Sequence, residues 1–583
     1  MLLNIRFLHI IILISLCNIS KAQGVDFTNV AEENGITYGF GELSHGMGIS
    51  LYDFNGDGLD DLTFGGATSE SPQFFQNSMD GFNQVVFPSI DFSGYHQKCL
   101  LWVDYDNDGD LDLSTNIIGS STRLYQNSGG FNFSDVTSTS GFLGNTIYSY
   151  AGAWADYNVD GQLDHYTTNR RQEFNNSRNR LLMNHGDGTF TDVAEISLTA
   201  DSQGVGFAVV FTDFDRDGWP DIYVANDKMN THNSLFKNNG NGTFTDVSNS
   251  QSTGMHIDGM GIAPGDFDGN GYEDLYVTNN PFVPNGLGGN ILSQNHGDET
   301  FTEVAGDLGI KVFEIGWGCS WADFNNDGDL DLFVACNAQF GVANSVFINQ
   351  GDGTFVEDTL TQIGQVNDHS FGCATGDIND DGYPDIAVMN DSPSTIKLWQ
   401  NNGGSNNWVK VTLEGTASNS MAIGSWVEVF AGSIHTSRYT RCGTSYGSQD
   451  GTAQMLGLGQ ATVIDSLIIT WPTGVSETHY NVAINQTHDY TESALVGEGH
   501  LNLVSELTVS PNPSIGIFRI VFPTTDTYKI EVSNAVGQTV IQEFNATGRT
   551  NIDLSDQKPG VYFLKSNITA QFEKSEIVRL IIQ

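Results

Sequence analysis

Oxygen-bearing side chains recur in this chain at one fixed spacing. Asp213, Asp215, Asp217 and Asp221 occupy positions 1, 3, 5 and 9 of a short stretch whose sixth residue is Gly218. The same pattern holds Asp53, Asn55, Asp57 and Asp61; Asp104, Asp106, Asp108 and Asp112; Asp156, Asn158, Asp160 and Asp164; Asp266, Asp268, Asn270 and Asp274; Asp323, Asn325, Asp327 and Asp331; and Asp377, Asn379, Asp381 and Asp385. Glycine at the sixth position permits the sharp turn that brings these oxygens together. Hard cations take about six to eight oxygen ligands, a number that four side chains, the carbonyl of position 7 and water supply. Calcium is the expected ion, with up to seven bound. The spacing opens like an EF-hand loop, but no Glu follows at position 12. Instead the ninth residue begins an apolar run, as in Ile222-Tyr-Val-Ala225 and Leu275-Tyr-Val277, so each loop joins two strands. Two carboxylates ~5 Å apart repel by about 3 kcal/mol at an effective dielectric of ~20. Folding and ion binding are therefore expected to be coupled.

The net charge of −47 comes from 70 acidic against 23 basic residues, and 23 of the acids are aspartates of these loops. It excludes nucleic acid and anionic membranes as partners. An aromatic content of 11% and 66 glycines exclude disorder as its cause. Arg6, the apolar run Phe7 to Cys17 and Ser20-Lys21-Ala22 make residues 1–22 a secretory signal. No other segment is apolar enough to span a bilayer, so the mature chain reads as a soluble, exported monomer. Cys319 and Cys373 stand four residues before the first Asp of their loops and read as small buried hydrophobes; Cys319 and Cys336 flank one hairpin and are a possible disulfide pair.

The loops recur at intervals of 51 to 57 residues, which signals a propeller or solenoid. Within a period a Gly-containing strand enters the loop (Gly259-Met-Gly-Ile-Ala263) and a second strand leaves it. A third follows (Ser234 to Asn238), then a Gly turn, then a fourth (Thr243 to Val247). Four antiparallel strands make one propeller blade, and a parallel β-helix has far shorter repeats. Phe27-Thr-Asn-Val-Ala31 copies the fourth-strand motif of Thr189 to Ala194 but precedes the first loop, so it is expected to complete the last blade and close the ring. The expected fold is all-β: a seven-bladed β-propeller over 23–402 followed by two small β-domains, 403–492 and 506–583, joined by a linker at 493–505.

The repeats resemble the FG-GAP (VCBS-type) family, seen in integrin α-subunit propellers and in bacterial exported proteins. Ser418-Asn419, Gly424, Gly443-Thr-Ser-Tyr446-Gly-Ser-Gln449, Gly457-Leu-Gly459 and Trp471-Pro-Thr-Gly474 resemble the ASPIC/UnbV domain, which follows such repeats in proteins similar to cartilage acidic protein. Met455-Leu456 departs from that family, where His-Phe more often precedes Gly-Leu-Gly. Val509-Ser-Pro511-Asn512-Pro513, Asn534-Ala-Val-Gly537-Gln and Pro559-Gly560-Val-Tyr-Phe-Leu564 resemble the C-terminal sorting domain of the type IX secretion system of Bacteroidetes. The resemblance implies passage through the outer membrane by that machinery, with release to the medium or attachment at the cell surface.

In a propeller the calcium loops would share one face and leave the other for ligands. Counting back eight residues from each first loop Asp gives His45, His96, Tyr148, Val205, Asp258, Ile315 and His369. His369, His45 and His96 come from consecutive blades of a closed ring, so they are candidates for a metal or proton-transfer site, or else cap strand ends. The connection from Asn169 to Arg180 carries Arg170, Arg171, Arg178 and Arg180, a local positive spot suited to an acidic glycan or carboxylate unless neighbouring acids neutralise it. No nucleophile elbow, phosphate loop or zinc signature is present. These features point to a non-enzymatic, calcium-stabilised binding or adhesion protein that takes an extracellular glycan or protein. The alternative is a lyase or hydrolase acting on an extracellular polysaccharide, for which His45, His96, Tyr148 and Arg170 are the candidate residues.

Overall fold

Alternation of small and bulky residues around each loop produces sheets of four antiparallel strands. In the fourth repeat Gly206–Thr212, Asp221–Asn226, Ser234–Asn238 and Phe244–Asp246 hydrogen-bond in that order. The first two strands are buried throughout, because a sheet face lies on either side of them. The fourth strand is three residues long and buries only Phe244, which leaves little free edge for unwanted pairing. The computed structural model describes residues 24–582 except 40–45, 67–70, 93, 120–121, 143–147, 171–177, 203, 229–230, 282–287, 338–342, 494–507, 511–516, 522–527, 535–538, 547–548, 559 and 569–574. The expected signal sequence, the expected linker from 494 onward, His45 and Arg171 thus lie outside the described residues.

Among the described residues, seven such sheets form between Phe27 and Asn401. The first strand of each lies against the first strands of the sheets before and after it, and Ile49–Leu51 lies against Ser370–Gly376, which closes the circle. Aromatic side chains fill the space between sheets. The second loop residue of one blade meets the tryptophan two residues before the loop of the next, as in Phe54 with Trp102 (4.7 Å between centroids) and Phe267 with Trp321 (6.0 Å).

The last sheet takes its fourth strand from the start of the chain. Phe27–Asn29 pairs antiparallel with Lys397–Asn401 in the register Phe27 to Asn401, Thr28 to Gln400 and Asn29 to Trp399. Phe27 is fully buried and meets Phe324 edge-on at 5.6 Å.

Residues 407–491 fold into two facing sheets, a three-stranded one in which Asn407–Glu414 pairs parallel with Thr487–Thr491, and a four-stranded one centred on Trp426–Ala431 and Ser466–Thr470. This domain and the ring form a single compact unit ending at Ala494, although the sequence reads as two separate domains. The second unit, from Leu495, holds a three-stranded and a four-stranded sheet around Phe518, Ile520, Ile530, Val532 and Leu564. All five described cysteines are buried free thiols, so the possible Cys319–Cys336 pairing is not made and the small-hydrophobe reading holds. No helix among the described residues is long and apolar enough to cross a membrane.

Removing a buried aromatic side chain costs about 3 to 5 kcal/mol. Phe27→Ala should lower the urea midpoint of the first unit by an amount corresponding to that loss, at an unchanged denaturant slope. A change below about 1 kcal/mol would show that this strand does not secure the ring.

Candidate metal loops and the domain that covers them

Backbone conformation creates each loop before any side chain acts. The fourth position is left-handed in every copy, with φ of 57° at Asn107, 54° at Val159, 55° at Arg216, 56° at Asn326 and Asp380, 73° at Gly56 and 68° at Gly269. The sixth position is left-handed again, with Gly218 at 87°, a conformation in which a Cβ is strained. Two such turns fold the chain back on its own carboxylates. In the first loop Asp53 Oδ1 accepts the N–H groups of Gly56 (2.7 Å) and Asp57 (3.1 Å), and Oδ2 accepts that of Gly58 (2.7 Å). The fifth residue accepts the seventh N–H in turn, as Asp57 does from Leu59 at 3.0 Å. The ninth residue accepts the second N–H, as Asp61 does from Phe54 at 3.1 Å.

The result is a set of converging oxygens. In three loops, single carboxylate oxygens of Asp104, Asp106 and Asp108, of Asp213, Asp215 and Asp221, and of Asp266, Asp268 and Asp274 lie within 4.8 Å of one another. Burial, and then the neighbouring loop carboxylates, hold these groups far above the ordinary range: Asp61 is pushed to about 8, Asp112 to about 9, Asp156 and Asp213 to about 7, and Asp266 to about 6. The Oδ1 atoms of Asp106, Asp213, Asp215 and Asp266, and those of Asn158 and Asn379, are buried without a hydrogen-bond partner. A site that offers only oxygen donors, several of them buried and unpaired, fits a hard divalent cation. The loop residues named from the sequence would hold it.

Seven asparagines at the ends of the third strands escape sequence reading. Asn238 donates its backbone N–H to Asp221 Oδ1 at 2.7 Å, and Asn77, Asn127, Asn184, Asn295, Asn349 and Asn401 repeat the bond to the ninth residue of their own loops at 2.6–2.8 Å. In all of them but Asn77 the side-chain oxygen accepts a turn N–H two residues on, as Asn238 does from Gly240 at 3.0 Å. The signal that would have found six of them is an in-register Asn-x-Gly after each third strand.

The second domain stands on the loops. Ser420 Oγ donates to Asp104 Oδ2 (2.6 Å), Trp426 Nε1 to Asp213 Oδ2 (3.3 Å), Ser437 Oγ to Asp266 Oδ2 (3.0 Å) and Lys410 Nζ to Asp377 Oδ2 (2.9 Å). A side chain at Gly457 would collide with Asp323 Oδ2, which is why the backbone there carries none. Arg216, in the fourth loop, lies 3.8 Å over the Trp426 ring and pairs with Glu428 at 3.1 Å. From this base residues 442–452 enter the ring. Trp154 N–H donates to Cys442 O (2.9 Å), Ser445 N–H to Ile262 O (2.9 Å), Leu51 N–H to Gln449 O (3.0 Å) and Gly451 N–H to Thr375 O (2.7 Å). The open edges of the inner strands are thereby satisfied from within the channel.

At the far end of the channel the inner strands of the second to seventh blades share a β-bulge. It places Lys98, Tyr150, Phe207, Met260, Trp317 and Phe371 where the register slips. A bulge re-aims a side chain, and these close around Tyr446, whose ring lies 5.2 Å from Phe207 and 5.3 Å from Trp317. Burial lowers the Lys98 ammonium to about 7, and its Nζ donates to Gly46 O.

The described residues among those eight before each loop stand on the rim beyond this collar. His96 opens its strand opposite Ile118, Tyr148 bridges Ile118, and His369 bridges Asn337. His45 and Arg171 are outside the described residues. Arg170 Nε donates to Asp227 Oδ2 at 2.6 Å, with its guanidinium over the rings of Tyr150 and Phe207. Arg178 and Arg180 both pair with Asp192. The positive spot expected from the sequence is therefore neutralised at its described arginines.

A family model for FG-GAP-like repeats matches residues 173–224, 213–277 and 323–388. These stretches of the ring are similar to FG-GAP-like repeats. The domain standing on those repeats matches the ASPIC and UnbV family over 415–495, and residues 508–583 match the secretion system C-terminal sorting domain. Cartilage acidic protein 1 of Mus musculus is 28% identical over 277 residues, 42% of this chain and 40% of that protein. The Homo sapiens protein of the same name is 29% identical over 182 residues, 30% of this chain and 27% of that one. The chain thus spans less than half the length of these relatives. Among solved structures, the Dos1 propeller aligns over 64% of this chain and 97% of its own with a TM-score of 0.35 and 9% identity.

The raised carboxylates fix the sign of a pH dependence. Without a cation they hold protons in the folded protein that the unfolded chain releases near pH 4. In chelator, stability should be highest below about pH 4 and fall as pH rises through 6 to 9, the range set by Asp266, Asp156, Asp61 and Asp112. Excess calcium should reverse the slope over that range, since an ion at these loops would take them deprotonated. Thermal melts of the full chain in both media check this; equal slopes would contradict it.

Proposed function

We propose that this secreted propeller protein is a calcium-stabilised binding protein whose partner is an extracellular glycan or protein. The buried, unpaired carboxylate oxygens of the loops carry the calcium part of this reading. Ions there act as structural crosslinks between the first and second strands of each blade. The second domain covers the loop face and fills the channel as far as Tyr446, which directs a partner to the opposite rim, where His96, Tyr148, Arg170 and His369 stand. Rigid blades presenting variable connections suit recognition. The sorting domain marks the chain for the type IX secretion machinery, which puts that rim outside the cell.

Calcium should raise the melting temperature strongly, because each site held at 1,000 times its Kd adds about 4 kcal/mol. Magnesium should do so far less, given its preference for a smaller, octahedral shell. The binding reading is tested by screening the calcium-loaded mature chain against a panel of polysaccharides, recording both retention and new chain ends. Retention without cleavage, weakened at least tenfold by Arg170→Ala, is the expected result. New chain ends would replace the binding protein with a polysaccharide lyase or hydrolase.

A further inference from the structure

The asparagines described above do more than brace their own loops. Asn238 Nδ2 donates to Pro220 O of its own loop at 3.0 Å and also to Tyr157 O, the second residue of the preceding loop, at 2.8 Å. The N–H of that same Tyr157 donates to Asp164 Oδ2, the ninth residue of the preceding loop, at 3.2 Å. One peptide group thus connects the ligand carboxylate of one loop to the asparagine that orients the ligand carboxylate of the next.

The connection repeats. Asn295 reaches Phe214 O (2.8 Å), Asn349 reaches Phe267 O (3.0 Å), Asn401 reaches Phe324 O (2.8 Å), Asn77 reaches Ile378 O (2.7 Å) across the ring closure, and Asn184 reaches Tyr105 O (2.8 Å). At the remaining position Asn127 Nδ2 donates to Leu111 O of its own loop at 3.2 Å, and no bond to Phe54 O of the first loop is formed. The belt therefore runs from the second loop through the third to seventh and on to the first, with one break between first and second.

We infer that these asparagines are positioning residues that couple neighbouring metal loops, so that the ions bind cooperatively along the belt. The inference rests on the calcium reading of the loops. An ion that draws in the ninth carboxylate fixes the second peptide through its N–H, and the carbonyl of that peptide fixes the asparagine amide of the next blade. The amide in turn holds the next ninth carboxylate through the asparagine N–H. Such hydrogen-bonded chains polarise one another, and quasi-linear arrays of equivalent units respond through nearest-neighbour terms.

Calcium titration of the full mature chain, followed by equilibrium dialysis, tests this. Independent sites fill from one tenth to nine tenths over an about 80-fold range of free calcium, whereas a Hill coefficient near 2 compresses this to about ninefold. The narrow range is expected for the native chain. Asn238→Ala, which cuts the belt between the third and fourth loops, should widen the range at least threefold. Asn127→Ala, which loses the bond to its own loop carbonyl but no link to another blade, should leave the width unchanged. Equal widening by both variants would reduce the asparagines to local braces and overturn the inference. If Asn238→Ala does not fold, the native curve still decides, and Asn295→Ser repeats the cut one blade on. Stoichiometric binding with a Hill coefficient of 1 would overturn the coupling alone; absence of binding would overturn the calcium reading with it.

Discussion

Like charge brought together in a poorly solvated place is the constraint on which this fold depends. Asp112, Asp164, Asp221, Asp274, Asp331 and Asp385 are fully buried, each facing other carboxylates of its loop. Hydrophobic contact between blades cannot compensate for that repulsion locally. Neutralisation must come from protons, from cations or from the protein's own donors. The second domain supplies donors in quantity: Lys410 to Asp377, and Arg441 to Glu273 beside the fifth loop. With its 23 basic residues against 70 acidic ones, the chain places an appreciable share of its positive charge at this junction.

The sequence made the loops legible because their oxygens repeat at fixed offsets inside a rigid turn, where no insertion is tolerated. It made ring closure legible because Phe27-Thr-Asn-Val repeats a strand that has no blade of its own. The asparagines were invisible to a count of offsets. They follow the ninth loop residue at separations from 15 to 21, since the connection between second and third strands varies in length while the geometry at its end does not. Arg170 illustrates a choice the sequence leaves open. A run of arginines is either open positive charge or a loop neutralised by acids, and Asp227, 57 residues later in the adjoining blade, decides for the second.

Docking of the second domain was the least legible feature. Residues 442–452 are short, polar and glycine-rich, the composition of an exposed loop. They are buried instead because the inner strands present unpaired N–H and C=O groups to the channel, and a small, turn-forming segment is what fits among them. The bulges follow the same logic. Glycines such as Gly261, Gly318 and Gly372 touch the backbone of the next blade, so the strands are squeezed together and the bulky residue beside each glycine is thrown toward the axis.

An axle made from the far end of a wheel has consequences for the order of assembly. Hydrogen bonds donated to Gln449 Oε1 join it to Ser50 and Trp102, 399 and 347 residues earlier, while the first strand waits for Lys397–Asn401. A chain emerging N-terminus first can pair the strands within each of its first six blades as they appear, but it closes the ring and fills the channel only when nearly the whole unit is present. Such long-range closure is intrinsically slow and leaves unpaired edges waiting. The short outer strands and the heavy acidic charge then serve a second purpose: they keep the half-built wheel in solution until its axle arrives.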